Sequence, residues 1–259
     1  MAKTMMLYPG LGVPQKRIPE TPQRDSKLEE ALQQYHRFCA HAENKQDVWT
    51  AERTYFDARE RITTALNPLY INLFLAEITP ETEHPFFKSI AVTVLINNAY
   101  VTGINTFDIT ILDYLETSSF GAQLCGTEEQ PYNLRIKGNL GFSSFYHSKH
   151  VNAIIKGTCG NDTAKLAEYV NLECEEMSCD LGYHAANSIF RFHHINKEII
   201  SRTAPLNLGI LTYAQNCTIQ FYEREDFNLL THLYVPKGQG NKIQLVKKGS
   251  NAVIDEVQV

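Results

Sequence analysis

The chain has 259 residues, of which 43 % are hydrophobic and 20 % are charged, and this composition excludes a mostly disordered chain, a coiled-coil rod and a collagen-like repeat. Its 29 Asp and Glu residues outnumber its 24 Lys and Arg residues, so the net charge of −5 gives no general attraction to nucleic acid or anionic lipid. Six cysteines are too few for a disulfide scaffold, and no apolar run approaches the roughly 20 residues that span a bilayer.

These features also predict where the protein works. The first ten residues lack the apolar run of a secretory signal peptide. We therefore expect a soluble protein with reduced thiols, either cytoplasmic or injected into a host cell without a cleaved signal. We expect no membrane span, no nucleic-acid partner, no structural zinc, no disulfide and no cofactor, and the sequence leaves the oligomeric state open.

The first third of the chain predicts helices. Residues 1–24 contain four prolines, which predicts a flexible lead-in. Apolar residues then recur every three or four positions in two runs, which predicts two antiparallel helices over about 25–66, and Asn67-Pro68 is expected to end the second. We expect residues 25–80 to form a helical hairpin or appendage, and residues 85–259 to form an α+β core domain.

The rest of the chain predicts strands around one helix. Apolar residues alternate with others at 90–96, 107–111 and 188–195, which predicts three strands, and 132–137 and 151–155 are further strand candidates. The segments 208–222, 229–235, 242–246 and 252–259 look like an antiparallel meander with Gly-rich turns. Spacings of three and four at Ala167, Val170 and Cys174 predict a central helix over 160–179. The expected fold class is α+β, with an N-terminal antiparallel helix pair and a mainly antiparallel sheet packed against the central helix. No internal repeat is evident.

The residues that could carry nucleophilic chemistry concentrate in one region. Eight of the fifteen Cys and His residues lie between positions 147 and 194. Within it, Cys159 stands between Gly157 and Gly160 at the start of the predicted central helix. A helix N-terminus stabilises a thiolate, and its free N–H groups can hold an oxyanion.

A cysteine nucleophile also needs a base and a residue that orients this base. Our first choice of base is His193, on a predicted strand, followed by His194, His232 and His184. Asn207, at the beginning of the next predicted strand, is the candidate orienting residue.

The order of these residues resembles that of the papain-like and transglutaminase-like cysteine hydrolase superfamily, in which a Cys at a helix N-terminus is followed by a His and then an Asn or Asp on neighbouring strands. The segment Gly157-Thr-Cys159-Gly is similar to the nucleophile segment of that superfamily. The resemblance implies hydrolysis or acyl transfer at a peptide, isopeptide or amide bond of a protein or peptide substrate, with a triad of Cys159, His193 and Asn207. The chain also looks like the effector proteins that intracellular bacteria inject into host cells.

Three other interpretations remain open. A zinc site could use His147, His150, Cys174 and Cys179. A mono-ADP-ribosyltransferase could use Arg135, Ser143-Ser144 and Glu223-Arg-Glu225. A non-catalytic interaction or scaffold protein could bind a partner through its helix pair, with the α+β body as support.

Overall fold

The computed structural model describes residues 25–43, 51–78, 85–111, 118–177, 180–196, 209–233 and 238–259. The helices in this part of the chain are α1 (Ser26–Glu43), α2 (Ala51–Arg61), α3 (Pro68–Glu77), α4 (Pro85–Val101) and α5 (Arg224–Leu233). The strands are β1 (Thr106–Thr110), β2 (Tyr132–Lys137), β3 (Lys149–Thr158), β4 (Glu168–Met177), β5 (Ile189–Ile195), β6 (Thr218–Phe221), β7 (Lys242–Val246) and β8 (Val253–Gln258).

The eight strands form one sheet, and their order across the sheet is their order along the chain. Strands β1 to β7 are parallel to their neighbours, and only β8 runs antiparallel. Asn133, Asn152 and Asn171 stand side by side on β2, β3 and β4 at intervals of 19 residues. The chain from β2 to β4 therefore winds as a coil that adds one strand per turn, which is the architecture of a β-solenoid.

The segments that return the chain from one strand to the next also stack on one another. They contain residues of positive φ at every second position: Ser143, Phe145 and His147 in one coil, and Asp162, Ala164 and Leu166 in the next. Hydrogen bonds join the coils here, such as the 2.8 Å bond that the N–H of Ala164 donates to the carbonyl of Ser144. These bonds offset the cost of a left-handed backbone, which L-residues otherwise avoid.

The predictions of a mainly antiparallel sheet and of a central helix were wrong, although the α+β class was right. The segment predicted as a helix over 160–179 contains a return segment and β4. Val170 and Cys174 are four residues apart, a spacing that fits a strand of period two as well as a helix, and both are buried together with Leu172 between them. The sequence shows no evident internal repeat, yet the structure does repeat. Successive coils have the same backbone path but few residue types in common.

Two further predicted strands are helical. The apolar run 90–96 lies within α4, where side chains are buried all around the helix, so that no period distinguishes it from a buried strand. The segment 229–235 begins within α5, and 208–222 contributes only the short strand β6. By contrast, strands were found as predicted at 107–111, 132–137, 151–155, 188–195, 242–246 and 252–259.

The helices cover the first coil of the solenoid. The side-chain amide of Asn72 on α3 donates to the carbonyl of Asp108 at 2.7 Å and accepts from the N–H of Thr110 at 2.8 Å, so it occupies backbone groups on the open edge of β1. On α4, the ring of Tyr100 stacks on Tyr132 with 4.0 Å between centroids. The helical layer is therefore the N-terminal cap that a solenoid needs.

This layer extends further along the chain than the predicted hairpin. The predicted helix pair corresponds to α1 and α2, whereas Asn67-Pro68 begins a new helix, because Asn67 accepts a bond from the N–H of Tyr70 and Pro68 needs no N–H partner at the first helical position. The predicted lead-in, 1–24, lies outside the described residues. None of the helices in the described ranges is both long and apolar enough to cross a membrane.

Candidate binding groove

The outer face of the solenoid sheet carries a row of hydrogen-bonded polar side chains. On β5, Arg191 donates to Asn171 Oδ1 on β4 and to Gln220 Oε1 on β6, both at 2.6 Å. Gln220 in turn donates to Gln244 Oε1 on β7 at 2.7 Å, and Gln244 donates to Glu256 on β8 at 2.6 Å. These cross-strand bonds stabilise the later coils and occupy the polar groups of that part of the face.

The earlier strands present a more open surface. One concavity of about 370 Å³ extends over β1, β2 and β3, and a second of about 430 Å³ extends over β3, β4 and β5. Both are lined by Ile154 and Lys156 of β3, so they form one continuous depression that we call the sheet-face groove. The outward side chains that line it are Asp108, Thr110, Arg135, Lys137, Ile154, Lys156, Glu173, Glu175, His193 and His194, together with Lys248 from the turn after β7.

The middle of the groove is apolar. Ile154 points outward from β3 and is 48 % exposed, whereas its neighbours Ala153 and Ile155 are buried in the core. A single exposed isoleucine is common on protein surfaces. This one matters because it lies where the two concavities meet, with charged side chains on both sides.

The part of the groove over β1 to β3 is cationic. In the part of the chain that the structure describes, its lining holds the cations Arg135, Lys137 and Lys156 and one carboxylate, Asp108. The pair between Arg135 and Asp108 is 3.8 Å long and strongly exposed, so it is weak. Within the described ranges, Lys137 and Lys156 form no ion pair.

The part over β4 and β5 contains carboxylates. Glu173 Oε1 lies 3.3 Å from His193 Nε2, and the His193 ring packs against Tyr222 with 4.8 Å between centroids. Burial, and then the charge of Glu173, raise the pKa of Tyr222, so its phenol stays protonated at neutral pH. Glu173 is thus fixed among side-chain neighbours, while Glu175, two residues along the same strand, is exposed.

The structure does not place Cys159 as predicted. It follows β3, pairs with Leu140 of the preceding coil, and is 2 % exposed inside the solenoid. Its thiol lies beside that of Cys174, and burial together with this neighbour raises the pKa of Cys174 well above its usual value. After Cys159 the chain continues into a return segment and β4 rather than into a helix, so the dipole and N–H groups on which its expected reactivity depended are missing.

The predicted base lies on the other side of the sheet. Phe192 fills the core, and the adjacent His193 therefore projects into the sheet-face groove, away from Cys159. The predicted orienting residue, Asn207, lies outside the described residues. The structure brings His193 together with Glu173 instead.

The other candidate bases are dispersed. His194 lies on the rim of the groove, with Nδ1 3.9 Å from Asp226 Oδ2. His184 is in a return segment and stacks on Tyr213, and His232 is on α5, not on a strand.

The residues proposed for a transferase or a zinc site are not assembled either. Arg135 on β2 and Glu223 after β6 are separated by four strand spacings, or about 19 Å. Among the described residues, no group of three or more His, Cys, Asp or Glu side chains could hold a metal ion. His150 stacks on Tyr169, Cys174 is buried, and Cys179 lies outside the described ranges.

The groove was not predicted from the sequence, although a signal for it exists there. Its main side chains recur with a spacing of 19 residues: Arg135, Ile154 and Glu173 form one column in register, Lys137 and Lys156 form a second, and Glu175 follows Lys156 after a further 19 residues. Comparing the sequence with itself at an offset of 19 would have aligned these columns, together with the asparagines at 133, 152 and 171.

Comparison with protein-family models, with curated proteins and with solved structures finds no match to this chain. The fold alone defines the class of this protein: a parallel β-solenoid with a helical N-terminal cap and a charged groove across the outer face of its first five strands.

Proposed function

We propose that the protein is a non-catalytic binding protein, and that the sheet-face groove holds an extended peptide segment of a partner protein. The observation that carries this proposal is the meeting of two concavities at the exposed Ile154, with charged side chains on either side. An apolar centre with a polar, charged rim is the usual anatomy of a protein interface.

Binding fits the groove better than catalysis does. None of the described residues that line the groove is a cysteine or a serine, so the pair of Glu173 and His193 has no such nucleophile to activate among them. The cysteine hydrolase, the effector role and the resemblance to papain-like enzymes stay predictions, without the helix N-terminus on which the role of Cys159 depended.

A scaffold function was among our expectations, but its binding surface now differs. The apolar stripes of α1 and α2, such as Tyr35 and Ala58, are buried in the core and serve the cap. A partner that docked on the helix pair would meet mainly its polar side, whereas the groove offers a concave surface with an apolar centre.

The proposal is tested by selecting peptides from a random phage-displayed library on the full chain and measuring their affinity by fluorescence anisotropy. We expect Ile154→Asp to weaken the selected peptides by about tenfold or more, because it places a carboxylate in the apolar centre. The matched control is Ile254→Asp on β8, where the isoleucine is 58 % exposed and lies outside the groove. Failure to enrich any peptide, or equal affinity for both variants, would overturn the proposal.

A further inference from the structure

We infer that the partner segment is bipolar, with acidic side chains over the β1–β3 part of the groove, an apolar residue over Ile154, and basic side chains over β4. This inference rests on the proposed function and specifies the chemistry of its ligand. It follows from the distribution of charge along the groove.

The cationic part selects acidic side chains. Lys137 and Lys156 are exposed, lie on adjacent strands in matching register positions, and form no ion pair among the described residues. Arg135 adds a third positive charge, only weakly compensated by Asp108. A basic ligand residue would be repelled here, whereas a carboxylate can form ion pairs with unoccupied partners.

The β4 part selects basic side chains. Glu173 and Glu175 both point outward from the same strand, and the contact with His193 holds Glu173 in place. Lys156 on one side and Lys248 on the other confine this negative region to the width of about one strand. A ligand Lys or Arg must therefore lie over β4, and not beyond β5.

The dimensions fix the spacing of these ligand residues. Two strand spacings, or about 10 Å, separate the cations of β2 from the carboxylates of β4. An extended peptide advances about 3.3 Å per residue, so its acidic and basic groups are at least about three residues apart, with the apolar residue between them.

The test uses three synthetic peptides of one composition: two aspartates, a central leucine flanked by glycines, and two lysines. One peptide has the aspartates first, one has the lysines first, and in the third each end carries one residue of each charge. We expect one of the two bipolar peptides to bind the full chain about tenfold or more tightly than the mixed peptide in fluorescence anisotropy.

The decisive variant exchanges charges in the protein. Both Lys137 and Glu175 are exposed, so the double variant Lys137→Glu/Glu175→Lys keeps the net charge and removes no core contact. The exchange brings the part over β1–β3 and the part over β4 each close to neutral, so we expect the double variant to bind the bipolar and mixed peptides about equally, while Ile254→Asp keeps the original preference. Equal binding of the three peptides by the unaltered chain, or an unchanged preference in the double variant, would overturn the inference. Library peptides that depend on Ile154 but carry no charge order would overturn it and leave the proposed function standing.

Discussion

At the scale of single residues, burial controls the reactivity of the cysteine thiols. Four of the five described cysteines are buried, namely Cys39, Cys159, Cys174 and Cys217, and Cys125 is exposed. Burial raises the pKa of Cys217 to about 11 and that of Cys174 well above its usual range. A protonated, inaccessible thiol is a poor nucleophile, so the core positions have the properties of structural cysteines.

We therefore predict that iodoacetamide at pH 8 modifies Cys125 of the native protein first. Cys159 and Cys174 should react roughly tenfold or more slowly, and at full rate only after unfolding in urea, because reagent reaches them through opening of the solenoid. Mass spectrometry of proteolytic peptides gives the rate at each cysteine. Preferential labelling of native Cys159 at pH 6 would contradict this assignment and return the hydrolase to first place.

At the scale of the elements, the stacking of coils determines which residues are tolerated. Gly157 has φ of +157°, and a side chain there would overlap the carbonyl oxygen of Gly138 in the preceding coil. Gly249, in the turn after β7, has φ of +86°, but nothing lies within 4 Å of the position that a Cβ would occupy. The two glycines share a positive φ and differ in whether a neighbouring coil lies against them.

This contrast gives a matched pair of substitutions. We predict that Gly157→Ala lowers the free energy of unfolding by about 3 kcal/mol or more, because the coils must separate locally to admit a methyl group. Gly249→Ala should cost about 1–2 kcal/mol, since it adds only backbone strain. Urea unfolding followed by circular dichroism measures both, and equal costs would show that the coils do not stack as described.

The elements that the sequence predicts correctly are those with a local cause. The helix in α1 follows from its amphipathic period, and β1 and β2 follow from alternation of buried and more exposed residues. The sequence could not show that the strands are parallel, because the same alternation suits either direction. The predictions for α4 and β4 named the wrong element, because the burial of both depends on contacts distant in the chain.

At the scale of the whole molecule, the groove exists because the winding of the chain aligns residues that are far apart in sequence. His193 could be named in advance as a residue of chemical interest, but its neighbour Glu173 could not, because only the register between β4 and β5 brings them together. Likewise, Cys159 and His193 look like partners along the chain, and the sheet places them on opposite sides.

The sheet-face groove, and not the helical cap, is the surface on which we expect a peptide to bind. The most direct measurement is photo-crosslinking of a library-selected peptide that carries a benzophenone in place of its central apolar residue, followed by mass spectrometry of the crosslinked site. The groove predicts crosslinks to Ile154 and to its neighbours on β3 and β4. Crosslinks that fall on α1 or α2 instead would contradict it, and would place the binding surface on the helix pair.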